Sequence, residues 1–493
     1  LDEISSKVLK FCSEELAPPL VDIFNKSFRD GKFPSALKLS KVYPKYKNGC
    51  YLDPSNYRPI SLISTFSKLC ERIVLRRLLD HCKEHNLLTN CQHGFTKDRS
   101  TTTAIIKMVE SLLDSIEEGK LTTGIFLDFS KAFDCLSHDL IIRKLENLGV
   151  AGTAILWFQS YLEGRKQLVE LRHSENGIVK SVRSSLLPVS RGVPQGSVLG
   201  PVIFILFIND LPQYIGDACL TLMYADDTTL VFSETSTENL AITSYISLNM
   251  AYQYCHNNDL AVNTNKTAQI AFGRRSDCVP CIPEVIMNDE VKFLGITLDK
   301  NLSWTSHVDK LCRKLSSSLY AIKNIKASTD ETTTRAAYFA LFEAHMRYGL
   351  VAWGGTSAGQ IQRVLKKQKT AVRTLAGLQP LDSCREAFKT HKILTIISLY
   401  IQETVLYTVK EGLPKRSEIH QYNLRDTTIY DLPAHRLSQY EKKPTYMGRK
   451  LHNHLPAELR DKGEKELKPA LHQWLVDRPF YSIEEFFQRA FDI

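Results

Sequence analysis

Two adjacent aspartates, Asp226 and Asp227, are the residues of this sequence with the clearest potential for chemistry. They lie within Leu220–Phe232, where apolar, strand-forming residues flank a short polar turn, and this pattern predicts a β-hairpin. Two carboxylates at the tip of a hairpin repel each other, and a bound divalent cation removes that cost. Carboxylate oxygens suit Mg²⁺, with Mn²⁺ as an alternative.

A third aspartate, Asp128, has a similar setting farther up the chain. The residues Gly124–Phe129 predict a buried strand, and an acid near the end of a core strand is unfavourable unless something neutralises it. If this strand lies beside the hairpin, Asp128 joins Asp226, with or without Asp227, around a pair of cations. Two metals about 3.5–4 Å apart can hold the attacking and leaving oxygens of a phosphoryl displacement, which predicts a polymerase.

Five blocks of the sequence resemble the reverse transcriptases of LINE-type, non-LTR retrotransposons, nearest the jockey-like group. FLDFSKAFD, RGVPQGSVLGP and YADD are similar to motifs A, B and C of reverse transcriptases, and NYRPISLIS and QHGFTKDRSTT are similar to the flanking blocks. The blocks occur at residues 126–134, 191–201, 224–227, 56–64 and 92–102. The resemblance covers residues 39–298 and continues more loosely to the C-terminus.

The resemblance implies an RNA-directed DNA polymerase that adds dNTPs to a DNA 3′-OH on an RNA template by two-metal phosphoryl transfer. In the family the 3′-OH comes from nicked target DNA, and the process is called target-primed reverse transcription. The resemblance further implies a ribonucleoprotein in the nucleus and cytoplasm and an endonuclease domain that this chain lacks. Two alternatives stay open, namely an inactive polymerase-like RNA-binding scaffold and a group II intron maturase.

The resemblance also implies roles for single residues. Asp128, Asp226 and Asp227 are the expected metal ligands, and Lys266 is the expected proton donor to pyrophosphate or, alternatively, a mobile surface lysine. Phe133 is expected under the deoxyribose, where it excludes a 2′-OH, a role compatible with core packing. The expected nucleotide contacts are Arg58, Arg99, Phe129, Phe133, Gln195, Gly196 and Tyr224. For Arg99, a salt bridge at a helix start is the alternative.

The residues Gly192–Ser197 open the predicted helix Val198–Leu211. Pro and Gly fix the turn, Ser197 is placed to cap the helix, and Pro201 falls in the first turn, where proline costs little. The first backbone N–H groups of such a helix have no partner within the helix and can donate hydrogen bonds to a group in front of it, such as a phosphate.

The order of predicted elements is a strand, helices, a hairpin, a helix and a strand. It predicts an α+β fold with a ferredoxin-like antiparallel palm inside a right-hand polymerase. We assign residues 1–121 to an N-terminal extension and fingers, 122–298 to the palm with a fingers insertion near 160–190, 299–400 to a helical thumb, and 401–493 to a C-terminal helical region of unknown role.

Basic residues cluster in two places. Lys38, Lys41, Lys45 and Lys47 are interleaved with Tyr43 and Tyr46, which fits either a template contact or a solvated edge. The predicted helix Gln360–Leu375 has no acid, which favours contact with phosphate. Its basic residues are Arg363, Lys366, Lys367, Lys369 and Arg373. Gly295, in a segment similar to motif E, is expected to let the primer approach closely.

Composition agrees with a polyanionic partner. The chain has 493 residues, a formal net charge of +9 and a pI near 8.8. Its longest apolar run, Val202–Ile208, is too short to span a membrane. The twelve cysteines are scattered, so we expect free thiols and no zinc site. The chain begins at Leu1 and its first methionine is Met108, so we expect a piece of a longer polyprotein.

One predicted helix, Ser67–His81, has no evident chemistry. Leu69, Ile73, Leu78 and Leu79 recur at helical spacing. We therefore interpret the helix as core packing with these four side chains pointing inward.

Overall fold

The computed structural model describes residues 4–419 and 428–489 of a chain built from both strands and helices. The strands are β1 (Leu39–Tyr46), β2 (Tyr57–Ile63), β3 (Leu121–Leu127), β4 (Lys166–Glu175), β5 (Ile178–Arg183), β6 (Leu187–Pro188), β7 (Leu220–Tyr224), β8 (Asp227–Glu234), β9 (Ala268–Phe272), β10 (Ile286–Asn288), β11 (Glu290–Phe293) and β12 (Ile296–Asp299).

Helices connect these strands and dominate the C-terminal half of the chain. They are α1 (Ser6–Phe11), α2 (Ser13–Arg29), α3 (Thr65–Glu84), α4 (Thr101–Glu117), α5 (Ala132–Cys135), α6 (His138–Asn147), α7 (Thr153–Leu162), α8 (Gly200–Phe207), α9 (Leu211–Ile215), α10 (Thr237–Asn257), α11 (Thr305–Ser328), α12 (Glu331–Ala337), α13 (Ala344–Arg347), α14 (Leu350–Trp353), α15 (Ala358–Ala376), α16 (Arg385–Thr390), α17 (Ile396–Lys410), α18 (Arg416–Ile419), α19 (Pro444–Asn453), α20 (Ala457–Arg460), α21 (Glu464–Asp477) and α22 (Ile483–Arg489). None of them, in the part of the chain that the structure describes, is both long and apolar enough to cross a membrane.

The predicted palm is a sheet of five strands in the order β10-β9-β3-β8-β7. In chain order the motif-bearing strands are β3, β7, β8 and β9. Across the sheet these four strands follow the order β9, β3, β8, β7, which are the fourth, first, third and second in chain order. This is the arrangement of a ferredoxin-like βαββαβ unit. The fifth strand, β10, pairs parallel with β9 and is an addition to the predicted antiparallel sheet. The α+β polymerase fold predicted from the sequence is confirmed.

The local sequence explains why β3 is central in this sheet. All seven of its residues are buried, as expected for a strand that is covered on both faces. Its threonines are satisfied inside the core, since the Thr123 hydroxyl donates to the Ile270 carbonyl at 3.0 Å. The chain reaches β3 from α4, whose start is fixed by a capping box between Ser100 and Thr103.

A second sheet has the order β2-β1-β4-β5, with β6 also paired to β4. Strand β1 runs antiparallel to β2, with Lys45 opposite Arg58, and parallel to β4. Strands β4 and β5 form an antiparallel hairpin within the predicted fingers insertion.

The chain divides into two compact units that are each discontinuous in sequence. Unit 1 comprises Leu1–Asp98, Phe126–Leu230 and Thr243–Thr267, and unit 2 comprises Arg99–Ile125, Val231–Ile242 and Ala268–Ile493. The predicted domain boundaries stay a prediction.

In unit 2, helix α11 is packed as its sequence predicts. Leu311, Leu315, Leu319 and Ile322 recur at helical spacing, and all four are buried. The first part of the predicted thumb is therefore helical.

Helix α3 departs from its prediction. Leu69 and Ile73 are each 38% exposed, whereas Leu78 is buried. The buried stripe of the helix is Cys70, Val74, Leu78 and Cys82. The spacing therefore predicted a helix correctly but assigned part of its inner face to the wrong residues.

Candidate active site

The backbone on both sides of Asp128 is fixed by the segment that precedes β9. Asp128 directly follows β3, and its carbonyl accepts a hydrogen bond from the Asn263 backbone N–H at 2.7 Å. The Ser130 N–H donates in turn to the Ala261 carbonyl at 2.7 Å. The aspartate is therefore held at the end of a buried strand, as the sequence predicts.

The hairpin predicted at the second acidic site is present as β7 and β8, and its turn is supported from outside. Ala225 adopts a positive φ of 54°, which is uncommon for a residue other than glycine. The Gln92 side-chain carbonyl accepts hydrogen bonds from the N–H groups of Ala225, at 3.1 Å, and Gly94, at 2.7 Å. A Cβ at Gly94 would lie 2.5 Å from the Ala225 nitrogen, so only glycine fits there.

The sequence reasoning missed Gln92, which supports the turn before Asp226. The QHG block was the available signal, because a polar Gln and a Gly are unusual where a core would require apolar residues. Their partner in the hairpin is visible only in the structure.

Asp226 and Asp128 lie close enough for their charges to interact. Burial raises the pKa of Asp226 above its usual value, and the negative charge of Asp128 raises this pKa further. The positive charges of Arg58 and Lys47 act in the opposite direction. Two acids and two basic residues from four separate segments of unit 1 therefore share one electrostatic environment.

The two carboxylates fit a divalent cation. The negative charge of Asp128 disfavours the charged form of Asp226, and a hard cation with oxygen ligands would remove that cost. Within residues 4–419 and 428–489, however, no group of three or more His, Cys, Asp and Glu side chains is placed to hold a metal ion. Asp227 is exposed at the start of β8, so its role as a third ligand stays a prediction.

Lys266 reaches the same place from the segment before β9. Its ammonium lies 3.2 Å from a carboxylate oxygen of Asp128, and both side chains are partly exposed to solvent. The family resemblance singled out Lys266 by its position, and the structure puts it next to Asp128, an expected metal ligand. Its role as a proton donor is not tested by this contact.

The predicted sugar-contacting residue lies beside helix α8. The Phe133 ring packs against Phe204, with ring centroids 4.8 Å apart. The Phe133 carbonyl accepts a hydrogen bond from the Val193 N–H at 2.9 Å. Of the other expected nucleotide contacts, Phe129 is buried and Tyr224 is half-buried.

Gln195 is held by a neighbour that the sequence did not single out. Its side-chain nitrogen donates to both carboxylate oxygens of Asp134, at 2.9 and 2.8 Å. The Ser197 hydroxyl accepts a hydrogen bond from the Gly200 N–H at 2.9 Å, as expected of a capping side chain. The N-cap of α8 is nevertheless Leu199, because the helix begins at Gly200 and not at Val198 as predicted. The helix itself is shorter than predicted, because it ends at Phe207 and a separate helix starts at Leu211.

The four lysines in and next to β1 are not equivalent. Lys38 is half-buried, and burial together with the charge of Arg165 lowers its pKa. Lys41 forms an ion pair with Glu170 at 3.0 Å, whereas Lys45 and Lys47 are exposed. Lys45 and Lys47 are therefore the better candidates for the predicted template contact.

Two predicted contacts fall on unit 2 and are described within it. Arg99 is half-buried and directly precedes Ser100, the N-cap of α4. Gly295 has a φ of 89° in the turn between β11 and β12, next to the ring of Tyr348. The predicted contacts of both residues with nucleotide, template or primer stay predictions.

The basic helix α15 makes several contacts within unit 2. Arg363 pairs with Asp309 at 2.5 Å, the Lys369 ammonium lies 3.6 Å from the Tyr481 ring centroid, and Arg373 donates to the Asp382 carbonyl at 2.8 Å. Lys366 is exposed and Lys367 is half-buried. The sequence did not predict the partners of Arg363, Lys369 and Arg373.

The chain is similar to known polymerases of mobile elements. Curated relatives include the probable RNA-directed DNA polymerase from transposon BS of Drosophila melanogaster, which is 29% identical over 391 residues, 76% of this chain and 42% of that protein. The RNA-directed DNA polymerase from mobile element jockey of the same species is 27% identical over 76% of this chain and 42% of that protein. The chain thus spans less than half the length of these relatives.

The chain was also compared with solved structures and with a family model. Apo telomerase from Candida tropicalis superposes with a TM-score of 0.40 at 12% identity, covering 78% of this chain and 67% of that one, which is too weak to support a conclusion. The family model described as reverse transcriptase (RNA-dependent DNA polymerase) matches residues 44–298, more than half of the chain. The resemblance found in the sequence motifs is confirmed, and this chain belongs to the reverse transcriptase family.

Proposed function

We propose that this chain is the polymerase part of a non-LTR retrotransposon protein and adds dNTPs to a DNA 3′-OH on an RNA template. The observation that carries the proposal is the action of the Asp128 charge on buried Asp226, together with the Lys266 ammonium 3.2 Å from Asp128. A buried carboxylate whose charged form is disfavoured by a second carboxylate is expected where a cation is bound.

The chain's residues have distinct tasks in this proposal. Asp128 and Asp226 would hold Mg²⁺, with Mn²⁺ as a substitute, and Asp227 would complete the set when substrate is bound. Mg²⁺ is commonly held by only one or two protein carboxylates together with substrate phosphates, so two closely placed acids suffice. When bound, the metals lower the pKa of the attacking 3′-OH and neutralise charge on the phosphates.

The remaining contributions are positioning, exclusion and proton transfer. Phe133, backed by Phe204, would leave no room for a 2′-OH on the incoming sugar. Gln195 and Gly196 would contact the nucleotide, and Arg58 would bind phosphate oxygens through its planar fork. Lys266 would donate the proton that the pyrophosphate leaving group needs.

The partners in this proposal are RNA template, DNA primer or nicked target DNA, and dNTPs. The exposed Lys45 and Lys47, at the end of β1 and just after it, and the basic residues of unit 2 support a polyanionic partner. Target-primed reverse transcription with an endonuclease domain located elsewhere, and a ribonucleoprotein in the nucleus and cytoplasm, belong to the proposal through family resemblance alone.

The test is extension of an oligo(dT) primer on poly(rA) with Mg²⁺. The unchanged chain should incorporate dTTP, and Asp226→Ala should lose at least about a thousandfold in rate, since such active-site substitutions remove several kcal/mol of transition-state stabilisation. The matched control is Asp217→Ala, which changes an exposed aspartate close to β7. Primer–template binding without any incorporation would favour the inactive scaffold.

A further inference from the structure

The loop that carries Gln195 and Gly196 is held by three charged or ionisable side chains from outside it. We call residues 192–199 the B loop. Helix α3 contributes Glu71, and the segment after Asp128 contributes Asp134 and His138. All three contact the B loop within unit 1, and none belongs to the predicted catalytic or nucleotide-binding set.

Glu71 is the most buried of the three. Its side chain is 0% exposed, and one carboxylate oxygen accepts hydrogen bonds from the N–H groups of Val198, at 2.7 Å, and Leu199, at 3.2 Å. Its other oxygen accepts from the Ser67 hydroxyl at 2.9 Å. A buried carboxylate is costly unless hydrogen bonds satisfy it, so Glu71 strongly favours this one conformation of the loop.

Asp134 fixes the orientation of the Gln195 side chain. An ionised carboxylate can only accept hydrogen bonds, and both of its oxygens face the Gln195 nitrogen at 2.8–2.9 Å. The amide therefore turns its NH₂ group toward Asp134 and its carbonyl oxygen away. Without the aspartate, the amide could rotate and present a donor where an acceptor is now displayed.

His138 and the backbone hold the rest of the loop. A ring nitrogen of His138 lies 2.9 Å from the Gly192 carbonyl, which can only accept, so the histidine donates. The Ser61 N–H donates to the Gln195 carbonyl at 2.6 Å. A Cβ at Gly196 would lie 2.5 Å from the Ser61 carbonyl, so the loop fits tightly against β2.

We propose that Glu71, Asp134 and His138 are positioning residues that keep the B loop in its nucleotide-binding conformation. The inference rests on the proposed function, because only a polymerase needs Gln195 to face an incoming nucleotide. None of the three touches the reacting atoms. Their loss lowers the fraction of molecules with a competent loop, which weakens apparent nucleotide affinity by the same factor and leaves the chemical step intact.

The first experiment is steady-state kinetics of Glu71→Gln and Asp134→Asn. Both substitutions keep the shape of the side chain and remove its charge. We expect the KM for dTTP to rise by about tenfold, in line with the loss of a hydrogen bond to a charged group, while kcat changes by less than about twofold. Glu84→Gln and Asp80→Asn, which change exposed acids of α3, are the matched controls.

A double-mutant cycle separates orientation of Gln195 from general destabilisation. In a Gln195→Ala background Asp134→Asn should have no further effect on KM, because the side chain that it orients is gone. Glu71→Gln should still raise KM there, since it acts on the loop backbone. Additive effects of Asp134→Asn and Gln195→Ala would contradict the role assigned to Asp134.

Hydrogen exchange provides a readout that needs no activity. The amides of Val198 and Leu199 should exchange faster in Glu71→Gln and unchanged in the two controls. Unaltered exchange together with an unaltered KM would overturn the proposal even if the enzyme polymerises DNA. Conversely, absence of incorporation by the unchanged chain would refute the proposed function, and the exchange result would still decide whether Glu71 holds the B loop. If Glu71→Gln fails to fold, Asp134→Asn, at a half-buried position, carries the test.

Discussion

The site formed by Asp128, Asp226 and Lys266 in unit 1, here called the corner, and the basic helix α15 of unit 2 are organised in opposite ways. In the corner, Asp128, Asp226 and Lys266 come from three segments far apart in sequence. Lys266 contacts Asp128, and the charge of Asp128 acts on Asp226. In α15, the basic residues are neighbours on one helix, and three of the five have partners nearby in unit 2.

The difference teaches what each arrangement can do. Chemistry requires a few groups held at fixed distances, so convergence from distant segments indicates a reaction centre. Binding of a phosphate backbone depends on summed charge and tolerates loose geometry, so a helix rich in lysine and arginine is sufficient. Substitutions in the corner should therefore change rates strongly, and substitutions in α15 should change affinity weakly.

The largest effect should come from Asp128→Asn. The substitution keeps the size of the side chain and removes one negative ligand, so we expect kcat for dTTP incorporation to fall by about a thousandfold or more. Primer–template affinity, measured by fluorescence anisotropy, should change by less than about twofold. A similar loss in both quantities would erase the contrast between the corner and the basic helix.

Lys266 sharpens the comparison within the corner itself. If it donates a proton, both Lys266→Ala and Lys266→Arg should lower the single-turnover rate by about tenfold to a hundredfold, since arginine does not release a proton at neutral pH. If Lys266 acts instead through its positive charge beside Asp128, Lys266→Arg should retain most of the rate. Lys83→Ala, at an exposed lysine of α3, is the control.

Phe133→Val should alter selectivity more than speed. Removing the ring beside Phe204 opens space for a 2′-OH, so we expect the preference for dTTP over UTP to fall by about tenfold to a hundredfold. The ratio of kcat/KM for the two nucleotides gives the answer. Phe11→Val, at a phenylalanine that is 90% exposed, should leave that ratio unchanged.

The smallest effect should come from Lys366→Ala combined with Lys367→Ala. These are the lysines of α15 without an ion pair or ring contact among those the structure describes. We expect primer–template affinity to fall severalfold at low salt and the slope of log affinity against log salt to decrease by about 1–2, with kcat unchanged. Lys468→Ala, at an exposed lysine of α21, is the control. A large drop in kcat of the double variant would contradict the expectation that α15 affects affinity and not rate.

The sequence by itself determined the elements that local chemistry controls. It predicted the hairpin around Asp226 and the buried strand before Asp128, because turn residues and apolar runs act within a few positions of themselves. It also determined the family, because five blocks in one order carry that information without any structure.

Only the tertiary structure decided which side chains meet. The contacts of Glu71 with Val198, Gln195 with Asp134 and Gln92 with Ala225 join positions 60 or more residues apart, and no local periodicity encodes them. The same limit explains why Leu69 and Ile73, spaced like core residues, are partly exposed. Hydrophobic spacing specifies a helix and an approximate face, whereas the partner that covers the face is set by the packing of the whole chain.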